Sequence, residues 1–251
     1  MIDYVILFIA SLVANTMSAF AGGGSGLVQF PVLILLGLPF AEALSTHKTA
    51  TFMLGAGSIA RNIKNRDMDW KFAAYILLFG MSGTIAGAYV ILQIPDDIAR
   101  FTLAILTIAL GLYSLFKKDM GQVLAPKNRD AKGYAIGGFV LFLIGVFNGS
   151  FTAGSGLFVT LWLILWFGLD YKLAVIYTMA LVGFCWNLTG AVTLHVLGAD
   201  VKWDWLPLLW IATFCGGWFG AHLGHLKGNV WIKRAFVAVT IASGVSLLVR
   251  F

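Results

Sequence analysis

Charged residues, cysteine and proline are all scarce in this chain. Of its 251 residues only 11% are Asp, Glu, Lys or Arg, two are cysteine and five are proline, whereas soluble domains carry about 25% charged residues. Cys185 and Cys215 both stand in apolar segments, so neither a disulfide framework nor a thiolate metal site is predicted. The composition argues against a soluble domain.

Catalytic and nucleotide-binding motifs are absent as well. The chain contains no Walker phosphate loop, no His-Glu-x-x-His and no pair of intramembrane aspartates, which argues against ATP-driven pumping by this chain alone and against intramembrane proteolysis. We therefore expect a protein that is not an enzyme and that needs neither a cofactor nor a metal. The net charge of +6 does not indicate nucleic-acid binding, because the basic residues sit mainly in short connections between apolar spans.

Apolar residues, in contrast, make up 60% of the chain, with a mean hydropathy of +0.90. Four long stretches lack any Asp, Glu, Lys or Arg: 101–116, 134–147, 173–197 and 206–223. A helix needs about 20 mostly apolar residues to cross a bilayer, and lipid cannot satisfy free backbone groups. The fold class predicted is an all-α, multi-pass integral membrane protein.

A glycine-rich interruption occurs twice, at 21–27 and at 152–157. The apolar stretches after them, 27–38 and 157–169, are roughly 18 to 20 Å long as helices, too short for a hydrocarbon core of about 30 Å. Further landmarks recur in the same order: Gly37-Leu38 and Gly168-Leu169, Asp69-Trp70 and Asp204-Trp205, Gly83/Gly87 and Gly216/Gly220. The glycine pairs resemble helix-packing signatures. The order indicates an internal duplication.

The loop charges decide how the two copies are oriented. Basic clusters mark the cytoplasmic side of a membrane protein, and they place Asp69 in a cytoplasmic loop and its counterpart Asp204 in an external one. We therefore predict two inverted repeats of about five helical segments, 1–120 and 134–251, joined by a cytoplasmic linker at 121–133, with both termini outside. The second segment of each repeat is short or re-entrant. Treating 4–38 as one broken crossing would make the repeats parallel, but it would put a basic loop outside.

Each glycine break stands where a new helix is predicted to begin. The first amides of a helix lack internal partners and carry the positive end of its dipole, and glycine lets a ligand approach that backbone closely. Two such termini facing each other near the midplane predict an anion site. The alternative is that the glycines only permit a tight hairpin and close packing. The binding residues predicted around the breaks are Gly23, Gly24, Ser25, Gly26, Gln29, Thr152, Gly154, Ser155 and Gly156.

A second group of candidates lies in the third apolar segment. Lys48 is the only basic residue well inside a span, and an intramembrane charge indicates function by default, so we add His47 and Lys48 to the predicted binding residues. Lys48 would suit an oxyanion; otherwise it snorkels to the interface or pairs with Glu42. Glu42 and His47 are the candidates for proton coupling, since imidazole gains a proton near physiological pH.

The ordered motifs resemble one known family. Residues 21–33, the turn Leu36-Gly37-Leu38-Pro39, the stretch Ala43-Leu44-Ser45-Thr46 and the elements Met68-Asp69-Trp70 and Trp203-Asp204-Trp205 are similar to those of the sulfite exporter TauE/SafE family, also called the toluenesulfonate uptake family. The resemblance covers nearly the whole chain. It implies a carrier for sulfite, sulfoacetate, sulfonates or related organic acids. Ser45-Thr46-His47-Lys48 departs from the Gly-Thr-Ser-Leu of many members, so either the site is specialised or the cargo is altered.

Together these observations favour a secondary transporter, an exporter or an importer of small sulfur-containing anions, that works by alternating access around a midplane site. The alternatives are an anion channel and a non-transporting membrane scaffold subunit. The partners expected are a small anionic substrate and membrane lipid, not nucleic acid, and the sequence leaves a homo-oligomer open. We expect the chain in the inner membrane of a bacterium.

Overall fold

The computed structural model describes residues 2–62, 68–91, 121–151 and 154–249, with isolated positions at 105, 108, 109, 112 and 116. Every regular element in these ranges is helical, which confirms the all-α prediction. The helices are α1 (Ile2–Ala21), α2 (Gln29–Leu35), α3 (Phe40–Asn62), α4 (Trp70–Val90), α5 (Ala131–Phe151), α6 (Ser155–Leu165), α7 (Tyr171–Val196) and α8 (Leu206–Val249). The uncharged stretch 101–116, the last predicted segment of repeat 1, lies almost wholly outside the described residues.

Among the described residues, five helices are long and apolar enough to cross a membrane: Asp3–Ala21, Trp70–Val90, Ala131–Phe151, Tyr171–Val196 and Trp203–Ala238. Their outer faces are apolar too. On α1, for example, Val5, Ile9 and Val13 recur one turn apart and are each more than half exposed, as a lipid-facing stripe requires. The protein is a multi-pass membrane protein. The short helices Ser25–Leu35 and Ser155–Leu165 match the two predicted short segments.

Helix α3 differs from its neighbours because it is polar yet central. It carries Glu42 in its first turn, Lys48 in its body and Arg61 in its last turn, and 12 of its 23 residues are buried. Helices α2, α7 and α8 pack against it. Since those neighbours shield it from lipid, α3 can place polar groups at mid-membrane that a lipid-facing helix could not.

Helices α3 and α7 cross in opposite directions. Near the start of α3, Thr46 accepts a hydrogen bond of 2.9 Å from the backbone N–H of Lys202, which comes after α7. At the other end, Asn62 of α3 and Lys172 of α7 line one small cavity. These helices hold corresponding positions in the two predicted repeats, so their antiparallel course is what an inverted repeat requires. The repeat itself stays a prediction.

The middle of α7 is wound as a π-helix over Thr178–Trp186. Such stretches are rare, and they occur frequently at functional sites. At the crossing, a Cβ on Gly55 of α3 would lie 2.3 Å from the backbone nitrogen of Phe184. The two helix backbones therefore meet in this widened part of α7, where only glycine fits on α3.

The recurring glycine pairs lie in close helix–helix contacts, as their spacing predicts. On α4, a Cβ at Gly83 or Gly87 would lie 2.1 or 1.9 Å from carbonyl oxygens of α5. On α8, a Cβ at Gly216 or Gly220 would likewise come too close to atoms of α1. Gly228 interrupts α8 with φ of 74° and ψ of −178°, just after the uncharged stretch 206–223.

The linker is packed rather than loose in the part that the structure describes. The backbone N–H groups of Ala125 and Lys127 donate to the carbonyls of Gly168 and Phe167, at 2.8 and 3.2 Å. Helix α5 begins at Ala131, ahead of the predicted apolar segment at 134, because the carboxylate of Asp130 accepts the N–H of Gly133 and so satisfies an amide of the first turn.

The α4–α5 contact generates a prediction about stability. Gly83→Ala should lower the melting temperature of the detergent-solubilised protein, because its Cβ would lie 2.1 Å from the carbonyl oxygen of Phe142 and overpacking costs about 1–3 kcal/mol. Gly224→Ala is the matched control, since its Cβ would meet only Ile232 at 3.7 Å. It should gain about 1 kcal/mol of helix propensity. Equal melting temperatures for the two variants would contradict the close contact.

Candidate functional site

The two glycine breaks lie directly against each other. A Cβ on Gly23 would lie 2.4 Å from the backbone nitrogen of Leu157 and 2.6 Å from the carbonyl carbon of Gly156. A Cβ on Gly156 would in turn lie 3.0 Å from the Cα of Gly23. The contact is backbone to backbone. The Thr160 hydroxyl of α6 reinforces it by donating to the carbonyl of Gly22 at 2.8 Å.

The two breaks lead into different local structures. The second leads straight into α6 after Gly154, which has φ of 84°. In the first, Gly22, Gly23 and Gly24 all have positive φ and open into a 3₁₀ turn at Ser25–Leu27, so that α2 begins only at Gln29. The expectation that a helix begins directly at each break therefore holds for the second and not for the first. After the first break the N–H groups of Leu27 and Val28 donate to the carbonyls of Gly24 and Ser25, which is the i→i+3 pattern of a 3₁₀ turn.

A cavity of about 30 Å³ lies between the breaks, space for about two water molecules. Seven of the predicted binding residues line it: Gly23, Gly24, Ser25, Gly26, His47, Ser155 and Gly156. The other lining residues are Ser18, Leu54, Asn148, Met179, Val182, Gly183 and Asn187. Among the described residues of its wall, His47 is thus the one ionisable side chain.

Three of the predicted binding residues that the structure describes do not line the cavity. Gln29 begins α2, Gly154 caps α6, and Lys48 lies behind the wall. Thr152 falls outside the described residues. Glu42, the other candidate for proton coupling, sits in the first turn of α3, and within the ranges described it forms no ion pair with Lys48.

Lys48 reaches the cavity through Asn148. Its ammonium is fully buried and donates to the backbone oxygen of Asn148 at 2.7 Å and to the side-chain Oδ1 at 3.2 Å. Gly190 of α7 makes room for it, since a Cβ there would lie 2.9 Å from the lysine Cδ. The lysine therefore connects α3 of the first half to the end of α5, just before the second break.

The contact with Lys48 also decides which way the Asn148 amide points. An ammonium only donates hydrogen bonds, so Oδ1 must face Lys48. The amide nitrogen then donates to Ser155 Oγ at 2.8 Å. Asn148 consequently turns its N–H side, not its oxygen, toward the cavity wall that Ser155 shares.

The charge of Lys48 has no carboxylate partner among the residues that the structure describes. A buried ion costs several kcal/mol when it is not compensated. Backbone and amide oxygens offset part of that cost here, and an anion in the adjoining cavity would offset more.

Seven residues of the cavity wall are not among the predicted binding residues: Ser18, Leu54, Asn148, Met179, Val182, Gly183 and Asn187. One signal was available, because Ser18 precedes Gly24 by six residues and Asn148 precedes Gly154 by six, so both occupy the same place before a break. Met179, Val182 and Gly183 of α7 had no local signal, because the sequence does not reveal the π-helix that directs them toward the cavity.

The known proteins to which this chain is similar are named as exporters or membrane transporters. The family model described as sulfite exporter TauE/SafE matches residues 7–247. A Sinorhizobium protein named "Probable membrane transporter protein ORF9" is 28% identical over 96% of this chain and 91% of its own length. "Probable membrane transporter protein YfcA" of Escherichia coli is 27% identical over 97% and 88%, and a Haemophilus influenzae protein with the same general name is 26% identical over 94% and 90%. No solved structure matches the chain significantly.

The contact between the breaks predicts that Gly23 tolerates no side chain. Gly23→Ala should lower the melting temperature in detergent clearly more than Gly37→Ala. Both glycines have positive φ, 143° and 97°, but a Cβ meets neighbouring backbone at Gly23 and nothing within 4 Å at Gly37. The control variant Gly37→Ala therefore introduces only backbone strain, of order 1–2 kcal/mol, and no steric overlap. Losses of equal size in the two variants would show that the breaks do not pack as described.

Proposed function

The chain belongs to the sulfite exporter TauE/SafE family of membrane transporters, and from this premise we propose that it is a secondary transporter of small sulfur-containing anions such as sulfite, sulfoacetate or organosulfonates. The proposal covers export and import, and it places the chain in the inner membrane of a bacterium. The observation that carries it is the buried Lys48 ammonium, which has no carboxylate partner among the described residues and lies behind a cavity bounded by both glycine breaks.

The sign of the proposed substrate follows from the groups around the cavity. The Asn148 amide turns N–H toward the wall, Ser25 and Ser155 bring hydroxyls, and the glycines expose backbone. Charge-assisted and amide donors stabilise oxyanions. A cation in the same place would lie close to the Lys48 charge in a medium of low dielectric constant, where like charges repel strongly.

The volume of the cavity bears on substrate size. About 30 Å³ favours the smallest members of the class, a sulfite ion or the head group of a sulfonate. A longer organosulfonate requires the two breaks to separate. We propose that they do so during alternating access, in which one repeat rocks against the other around their shared contact.

Transport by this chain is tested by uptake into proteoliposomes. We expect saturable uptake of at least one of sulfite, sulfoacetate or an aromatic sulfonate, with counterflow, and no uptake of cations. Taurine and simple carboxylates test whether the sulfur oxyanion is required. Flux without saturation or counterflow would indicate a channel instead, and no flux for any substrate would contradict the proposal.

Lys48 and Asn148 should be needed for binding but not for folding. In wild-type protein at 100 times the dissociation constant, sulfite should stabilise the folded state by about 2.7 kcal/mol, seen as a raised melting temperature. Lys48→Met should abolish this shift. Asn148→Asp should abolish it too, while keeping or raising the basal melting temperature, because a carboxylate there would pair with Lys48.

Lys202→Met is the control for these variants, because the Lys202 ammonium pairs with Asp204 at 3.9 Å at the surface and does not line the cavity. It should keep the full sulfite shift. If sulfite raises the melting temperature of the Lys48→Met variant as much as that of the wild type, Lys48 does not take part in the site.

A further inference from the structure

A row of buried polar side chains leads away from the cavity along α1. Ser11, Asn15 and Ser18 recur at intervals of four and three residues, so they share one face of the helix, and Gln29 of α2 lies opposite them. None is more than 1% exposed. Within the bilayer, such groups must find partners inside the protein.

Each of these side chains keeps an atom that has no hydrogen-bond partner among the described residues. The amide nitrogen of Asn15 donates to the Ser11 carbonyl at 2.7 Å and to Gln29 Oε1 at 3.2 Å. Four atoms are left over: Ser11 Oγ, Asn15 Oδ1, Ser18 Oγ and Gln29 Nε2. A buried unpartnered group costs about 1–3 kcal/mol, so a row of four calls for a ligand.

The length and chemistry of the row identify that ligand. Seven residues separate Ser11 from Ser18, which is roughly 10 Å along the helix axis. Oxygens bound to one Na⁺- or Ca²⁺-sized ion lie within about 5 Å of each other, so no single ion reaches both ends. Hydroxyls, a carbonyl oxygen and an N–H together suit water, which needs two to four polar partners.

The row has a direction. Ser18 lines the cavity, and Ser11 lies nearer the start of α1, where Leu7, Phe30, Leu33 and Leu44 form an apolar cluster. On the opposite side of the cavity, at the end of α3, the Asn62 amide donates to the Ser58 carbonyl at 2.9 Å and its oxygen meets His225.

We propose that Ser11, Asn15, Ser18 and Gln29 line a hydrated access pathway that joins the cavity to the membrane face at which α1 begins. The apolar cluster closes this pathway in the present conformation. When the cluster opens, the anion passes along neutral hydrogen-bond donors and acceptors, which solvate it without binding it tightly. The passage of an anion rests on the proposed function; the hydration does not.

Cysteine labelling tests the pathway with matched controls from the same helix. In a background with Cys185→Ala and Cys215→Ala, Ser11→Cys and Asn15→Cys are compared with Ile9→Cys and Val13→Cys, two residues away on the lipid-facing stripe. A charged, membrane-impermeant methanethiosulfonate is added to proteoliposomes. Because a thiolate forms only in contact with water, the pathway cysteines should react at least ten times faster than their controls, and only from the side on which α1 begins.

Saturating sulfite separates the pathway from the proposed function. If both hold, sulfite slows labelling of Ser11→Cys. Fast labelling that sulfite does not affect supports the pathway and counts against the anion site. Labelling of Ser11→Cys no faster than Ile9→Cys overturns the pathway, even where uptake assays succeed. The serine exchange is nearly isosteric, and a single symmetric peak in size-exclusion chromatography establishes that the variant is folded.

Discussion

The backbone contact between Gly23 and Gly156 is the constraint on which the rest of the site depends. Two chain segments about 130 positions apart approach so closely that a Cβ on Gly23 would overlap the opposite backbone. That approach forms the cavity wall from both halves of the chain and aligns Ser25 with Ser155. It also explains how the two glycine breaks can lie inside a membrane, because the backbone of each is covered by the other instead of facing lipid.

The central position of α3 is a consequence of this arrangement. Contact with lipid would be energetically unfavourable for Lys48 and His47. Helices α2, α7 and α8 surround α3 and so separate it from lipid. The lysine does not enter the cavity. It holds the Asn148 carboxamide with the oxygen turned toward Lys48 and the N–H turned toward Ser155, so one buried charge sets the polarity of a cavity that it does not itself line.

Local features of the sequence predicted more of the fold than of the site. Hydropathy and the glycine breaks predicted the helical class and the two short helices, because both depend on neighbouring residues. The link from Lys48 to Asn148 spans 100 positions, and the π-helical part of α7 lies where it meets Gly55 of α3, so both involve residues far apart in the sequence. Intramembrane charge indicated an anion, whereas sulfur entered only through the family resemblance, since hydrogen-bond donors do not distinguish one small oxyanion from another.

The central claim, that the two breaks together hold an oxyanion, is tested most directly by anomalous diffraction. Crystals of the wild-type protein soaked with selenite, the heavier analogue of sulfite, would be measured at the selenium edge. The account predicts one strong peak between Ser25, Ser155 and the Asn148 amide, removed by an excess of sulfite. A peak found only at the basic ends of the helices, or none between the breaks at saturating selenite, would contradict it.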